Sequence, residues 1–241
     1  MTGRTPVCLG VIPARGGSKG IKDKNIRPFA GSSLLAISID VAKRARLLAD
    51  TVVSTDSEAI AEAARAAGGK VPFLRPAELA TDDVPVWEVS RHAGEWFAAT
   101  TGAPPDIIVS LQPTSPLREP EHLDEAIQRL SDSDADALMT VTEAEHSPYK
   151  MRVIEDGLLR EFLPGRTVGQ RQEAPPVYRL NGVAYATRWQ AMIETRSLWG
   201  RKTLAYALPD DVALNIDTML EFEIAEFLFS RRCAMPRKSM S

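Results

Sequence analysis

Residues 12–25, Ile-Pro-Ala-Arg-Gly-Gly-Ser-Lys-Gly-Ile-Lys-Asp-Lys-Asn, set Arg15, Lys19, Lys22 and Lys24 among Gly16, Gly17 and Gly20, directly behind an apolar run. The cations supply charge. The glycines let a backbone approach a ligand closely or take a positive φ, so the segment suits a polyphosphate. Neither standard phosphate signature fits it. A Walker A loop needs Lys followed by Ser or Thr, whereas Lys19 follows Ser18 and precedes Gly20, and the segment holds no G-x-G-x-x-G. A solvated basic loop is the competing reading, because charge runs are usually surface.

Three further stretches carry chemistry. In Leu-Gln-Pro-Thr-Ser-Pro-Leu-Arg-Glu-Pro, residues 111–120, a strand end runs into a proline-bracketed turn. Gln112, Thr114, Ser115 and Arg118 are expected to project there as sugar, base or phosphate contacts, with helix capping as the alternative. In Leu-Asn-Ile-Asp-Thr, residues 214–218, Asn215 and Asp217 share a face if the chain is extended. Asp217 offers a hard carboxylate oxygen for Mg²⁺ and Asn215 a neutral carbonyl oxygen. The alternative is an N-cap, with Thr218 and Glu221 forming a capping box. Residues 170–182 contribute Arg171 and Arg179, suited to fork a carboxylate or phosphate, beside Asn181-Gly182.

The elements that must position these groups alternate. Apolar runs at 7–13, 50–55, 105–112, 135–142, 180–187 and 203–208 read as strands, with 70–74 a weaker one. Helical spacing appears at 33–48, 56–68, 84–99, 120–130, near 188–194 and at 218–230, leaving 231–241 as a frayed tail. This predicts an α/β fold, a mainly parallel sheet flanked by helices, in one domain over 1–241. Between 143 and 178 the pattern breaks into short proline- and charge-rich pieces, which predicts a β-hairpin insertion.

Composition narrows the function classes. A net charge of −3 gives no general attraction to nucleic acid or anionic lipid. Two cysteines, Cys8 and Cys233, fit neither a disulfide framework nor a zinc site, which suits a reducing cytoplasm. No apolar stretch has the length of a membrane span or a signal sequence.

Taken in order, these stretches make the chain resemble the acylneuraminate cytidylyltransferases, the CMP-sialic acid synthetase group, and more distantly the CMP-Kdo synthetases. Val-Val-Ser-Thr-Asp-Ser at 52–57, Leu-Arg-Pro-Ala-Glu-Leu-Ala-Thr-Asp-Asp at 74–83, Arg171-Gln172 and Tyr-Arg-Leu-Asn-Gly-Val-Ala-Tyr at 178–185 add to the likeness, which spans nearly the whole chain. The resemblance implies a Rossmann-like nucleotide-diphospho-sugar transferase fold. It implies transfer of CMP from CTP to the anomeric hydroxyl of a nine-carbon 2-keto sugar acid, with Mg²⁺ and release of pyrophosphate. Arg15, Lys19 and Lys24 would neutralise the triphosphate, with Ala14, Gly16, Gly17, Ser18, Asn25 and Arg75 around the nucleotide. Gln112 and Asn181 would meet the sugar acid, Arg171 and Arg179 its carboxylate or the phosphates, and Asp217 with Asn215 the metal. A homodimer is implied, with the 143–178 insertion as its dimerisation element. One departure stands out: the family's metal motif resembles D-I-D, whereas this chain has Asn215-Ile216-Asp217. The lost carboxylate implies weaker metal binding, and leaves a Kdo-like or non-sugar acceptor, or a catalytically weak paralogue, as alternatives.

Overall fold

The computed structural model of the chain describes residues 4–18, 20–164 and 175–234. The first strand, β1 (Cys8–Pro13), is buried along Cys8–Ile12, as its unbroken apolar run requires of a strand with neighbours on both sides. After two short strands, β2 (Pro28–Phe29) and β3 (Ser32–Ser33), helix α1 (Leu34–Arg44) starts under a Ser33 cap whose hydroxyl accepts the Ala36 N–H. The periodicity extends to Leu48, yet the helix stops at Arg44. The reason is tertiary: the buried Asp124 carboxylate accepts the Arg46 and Leu47 N–H groups, both at 2.9 Å, and turns the chain toward β4 (Asp50–Ser54).

Helix α2 (Glu58–Ala66) follows, capped by Ser57. The expected strand at 70–74 is reduced to two isolated bridges, Val52 to Lys70 and Thr55 to Leu74, because Pro72 between them has no N–H to give to a ladder. Then come α3 (Val86–Thr101), β5 (Ile107–Ser110), α4 (Pro120–Ser131) and β6 (Ala137–Glu143). Strands β7 (Arg152–Glu155) and β8 (Leu158–Glu161) form a hairpin that, among the described residues, pairs with no other strand. The chain returns through β9 (Tyr178–Arg188), α5 (Trp189–Thr195), β10 (Thr203–Ala207) and α6 (Met219–Ala234). The last helix continues through the first residues of the expected tail: Arg232 anchors it by donating to the Leu117 and Asp211 carbonyls at 2.7 and 2.9 Å. Among the described residues no helix is long and apolar enough to cross a membrane.

The six-stranded sheet runs β4-β1-β5-β9-β6-β10, mainly parallel, with β9 antiparallel to both neighbours. Helices α1, α2 and α4 pack on one face through Leu35, Ile39, Ile60, Leu123 and Ile127. Helices α3 and α5 cover the other through Ala93, Phe97 and Met192. From β1 the chain crosses outward to β4, and β5 then returns to the other side of β1. The strand order therefore reverses between β1 and β5, and a ligand crevice is expected beyond the carboxyl ends of that pair.

Candidate active site

The crevice is there, a cavity of about 520 Å³. Its walls are the loop after β1 (Arg15, Ser18, Gly20, Lys24, Asn25), the segment after β4 (Arg75, Thr81, Asp82), the turn after β5 (Gln112, Thr114) and Asp217. Four stretches separated by up to two hundred residues thus meet at one edge of the sheet.

Hydrogen bonds fix the β1 loop. Ala14 N–H donates to the Ser54 carbonyl of β4 at 3.0 Å, and Gly16 N–H to Asp56 Oδ1 at 2.9 Å. Gly17 takes φ +66°, which the missing side chain permits. The Asn25 side-chain amide donates to the Arg15 carbonyl at 3.2 Å, and the Asn25 backbone carbonyl accepts from Leu35 N–H at 3.0 Å, so this residue closes the loop onto α1. The guanidinium of Arg15 pairs with Asp82 across the cavity.

Arg75 enters from the β4 side with its side chain only 3% exposed. Burial pulls its guanidinium below the usual arginine range, partly countered by Asp56, 3.5 Å from Nη2. Among the described residues its Nε and Nη2 make no hydrogen bond, and both atoms are closed to solvent, with Asp56 as the nearby counter-charge.

The 214–217 segment is stitched to both neighbouring loops. Lys24 Nζ donates to the Ile216 carbonyl at 2.7 Å and lies 3.5 Å from Asp217 Oδ1, while Ile216 N–H donates to the Thr114 carbonyl at 2.9 Å. Asn215 Nδ2 donates to Asp217 Oδ2 at 2.8 Å; its buried Oδ1 has no partner among the described residues, and Asn215 is not among the residues that line the cavity. The capping box exists too: Glu221 Oε2 accepts Thr218 N–H at 2.7 Å, and Thr218 Oγ1 accepts Glu221 N–H at 3.3 Å. Lys24 is therefore committed to carrying Asp217 as well as facing the cavity. At Gly20 the two loops touch, since a Cβ there would lie 2.4 Å from the Asp217 carbonyl oxygen. Gly20→Ala is expected to push Asp217 from the site and lower kcat/KM at least about tenfold, with a smaller loss of stability, read by steady-state kinetics beside a thermal melt.

The structure redistributes other expected contacts. Gln112 and Thr114 line the cavity, but Ser115 and Arg118 turn inward, 0% and 2% exposed, and contact the chain itself. Asn181 is 1% exposed and not among the lining residues; its carbonyl accepts the Ser115 hydroxyl at 2.9 Å. Arg179 is exposed and donates to the Ala213 carbonyl at 3.4 Å. Lys19 and Arg171 lie outside the described residues. Two acidic residues, Asp56 and Asp82, were given no role by sequence reading. The signal for them is the need of Arg75 and Arg15 for counter-charges.

The cytidylyltransferase family model matches residues 9–158. A post-translational flagellin modification protein B of Campylobacter coli is 33% identical over 229 residues, 93% of this chain and 95% of its own length. A CMP-N,N'-diacetyllegionaminic acid synthase of Campylobacter jejuni subsp. jejuni is 32% identical over 252 residues, 95% of this chain and 97% of its own. Among solved structures, a CMP:2-keto-3-deoxy-manno-octonic acid synthetase complexed with CTP superposes with a TM-score of 0.67 at 17% identity, covering 94% of this chain and 99% of that one, a likeness of fold.

Proposed function

We propose, from the premise that this chain belongs to the cytidylyltransferase family, that it transfers CMP from CTP to the anomeric hydroxyl of a sialic-acid-like nine-carbon 2-keto sugar acid. The observation that carries this reading is the convergence of Arg15, Lys24, Asn25, Arg75, Gln112 and Asp217 on one cavity at the strand-order reversal. The acceptor class rests on the legionaminic acid synthase, a relative over nearly its whole length.

In the proposed reaction the acceptor hydroxyl oxygen attacks the α-phosphorus and loses its proton. The bond to the β-phosphate oxygen breaks, and pyrophosphate leaves with the electron pair. Such a transfer asks little covalent chemistry of the protein and much charge neutralisation and alignment. Arg15, Lys19 and Lys24 neutralise the triphosphate, with the loop from Ala14 to Ser18 against it. Asn25 keeps that loop closed on Arg15. Arg75, which lines the cavity, offers its guanidinium charge to the nucleotide. Gln112 meets the sugar acid, whose carboxylate Arg171 and Arg179 recognise. Asn181 acts from beneath, through the turn it shares with Ser115.

The residues fit Mg²⁺ of one kind. Asp217 offers a hard carboxylate oxygen at the cavity, Asn215 Oδ1 lies buried behind it and would have to turn outward to join, and among the described residues no group of three acidic, imidazole or thiol ligands exists. That donor set suits a cation that takes its remaining ligands from triphosphate and water. When bound, Mg²⁺ would neutralise phosphate oxygens there.

Homodimer formation and a cytoplasmic location belong to the same proposal. The β7–β8 hairpin exposes Ile154, Leu158, Leu159 and Phe162, by 51–75%, more apolar surface than a lone hairpin can keep in water. Light scattering should give twice the chain mass, and Leu159→Glu should shift it toward the monomer; an unshifted dimer moves the interface elsewhere. Free Cys8 and Cys233 suit a reducing compartment.

The enzymatic test measures pyrophosphate release with CTP, Mg²⁺ and a panel of N-acylneuraminate, Kdn, legionaminate and pseudaminate. Turnover with at least one is expected; silence across the panel from folded protein overturns the reading. Asn215 favours one competing reading, a Kdo-like or non-sugar acceptor or another nucleotide. Preference for ATP, GTP or UTP over CTP in the same assay would refute the cytidine assignment.

A further inference from the structure

Arg118 heads the large side chains closed to solvent, and among the described residues its hydrogen-bond partners are all neutral oxygens. Desolvation alone pulls its pKa down to about 9. A buried guanidinium without a carboxylate is costly, so its retention asks for a purpose other than stability. Its planar fork reaches three separate elements. Nη1 donates to the Val183 carbonyl of β9 at 2.8 Å, and Nη2 to Ser38 Oγ of α1 at 3.3 Å and to the Gln112 carbonyl.

Val183 lies in an irregular part of β9. Met139 faces Tyr185 and Val141 faces Leu180, so Asn181 to Ala184 bulge out opposite Thr140. The bulge is held by its own bonds. Thr140 Oγ1 both donates to the Ala184 carbonyl and accepts its N–H, each at 3.0 Å; Tyr185 OH accepts Gly182 N–H at 3.0 Å; Asn181 Oδ1 accepts Val183 N–H at 3.2 Å. The bulge brings Gly182, at φ +72°, directly under Gln112. A Cβ on Gly182 would stand 3.2 Å from Gln112 Oε1 and 3.0 Å from Ser115 Oγ. The Gln112 carboxamide therefore rests on the bulge, and Arg118 ties the Gln112 backbone to that same bulge and to α1.

We propose that Arg118 is a positioning residue, which fixes Gln112 relative to the β9 bulge and so aims its carboxamide into the cavity toward the acceptor. The proposal rests on the reading of Gln112 as an acceptor contact. Arginine is required because three acceptors in three directions need a rigid multidentate donor. A lysine reaches fewer of them, and a methionine leaves the carbonyls of Val183 and Gln112 without this partner.

The test compares Arg118→Met, Arg118→Lys, Gln112→Ala and the double variant Arg118→Met/Gln112→Ala. KM for CTP and for the sugar acid are measured separately, beside a thermal melt. Arg118→Met should raise the acceptor KM about tenfold with the CTP KM within about twofold, Arg118→Lys should recover part of that, and the double variant should be no worse than Gln112→Ala. Equal changes in both KM values, or effects that multiply, overturn the proposal. Should Arg118→Met not fold, Ser38→Ala, which removes one of its partners, is judged by the same KM split. A readout free of turnover separates this idea from the reading of function. The side-chain amide resonances of Gln112, assigned by their loss in Gln112→Ala, should move and broaden in Arg118→Met or Ser38→Ala; an unmoved pair overturns the positioning role even if no sugar acid is turned over.

Discussion

Arg15→Ala is expected to lower kcat by roughly 10²–10³-fold, the cost of removing one preorganised charge donor from a developing anion, while moving the melting temperature by no more than a few degrees. The two halves of this expectation come from different parts of the structure. The guanidinium faces the cavity from the loop that ends β1, where a triphosphate would bring several negative charges into a partly desolvated site. Its structural duty is light, since the Arg15–Asp82 pair is 35% and 37% exposed. An ion pair so open to water is worth about 0–1 kcal/mol. In a domain of this size that amounts to roughly 2–4 °C per kcal/mol. The bond that closes the loop, from Asn25 to the Arg15 carbonyl, uses only backbone at position 15 and survives the substitution. Arg15→Lys should fall between wild type and alanine, keeping the charge and losing the bidentate fork. Steady-state kinetics and a thermal melt on one preparation check both halves. A melting temperature lowered by ten degrees, with kcat tracking the folded fraction, would make Arg15 a structural arginine.

What was legible in the sequence followed from patterns that are local. The apolar runs of β1, β4 and β5 mark strands of the sheet interior, and the glycine- and lysine-rich stretch behind β1 marks the loop that lines the cavity, because each signal is complete within a few residues. Misreadings occurred where a distant residue decided the outcome. The end of α1 is set by Asp124, 78 positions on from Arg46, whereas the weak strand at 70–74 is undone locally, by Pro72 within it. The direction of β9 is invisible in its sequence, since an interior strand looks equally apolar whether its neighbours run parallel or antiparallel. Arg118 illustrates the limit most sharply. A charged residue in a turn before a helix reads as exposed by default, and the Val183 carbonyl of the β9 bulge, 65 positions on, is among the acceptors that make its burial tolerable. Asp56 and Asp82 escaped for the related reason that counter-charges are recognised only once their arginines have been placed.

The consequence of Asn215 can be put as two opposed substitutions. Asp217→Asn removes the only carboxylate the 214–218 segment offers to a cation and is expected to lower kcat/KM by about a hundredfold or more, the loss typical of a removed electrostatic contact in a transfer site. Asn215→Asp is expected to act the other way on metal affinity. In the native chain both Asp217 oxygens already face donors, Oδ2 the Asn215 amide at 2.8 Å and Oδ1 the Lys24 ammonium at 3.5 Å. A cation must share that carboxylate with them. Aspartate at 215 removes the competing amide donor and adds a charge beside the cation. At about 4 Å in a water-like dielectric its attraction for a divalent ion is roughly 2 kcal/mol, and drawing two mutually repelling carboxylates together around the ion gives back roughly half. The remainder is a five- to tenfold fall in the Mg²⁺ concentration that half-saturates turnover. A Mg²⁺ titration of pyrophosphate release, wild type beside Asn215→Asp, measures it. The substitution should also loosen Asp217 in metal-free protein, because the amide that tethers Oδ2 is gone. An unchanged Mg²⁺ requirement would mean that Asn215 serves only to hold the start of α6. A tightened one would mean that the native amide trades metal affinity for a carboxylate already oriented before the nucleotide arrives.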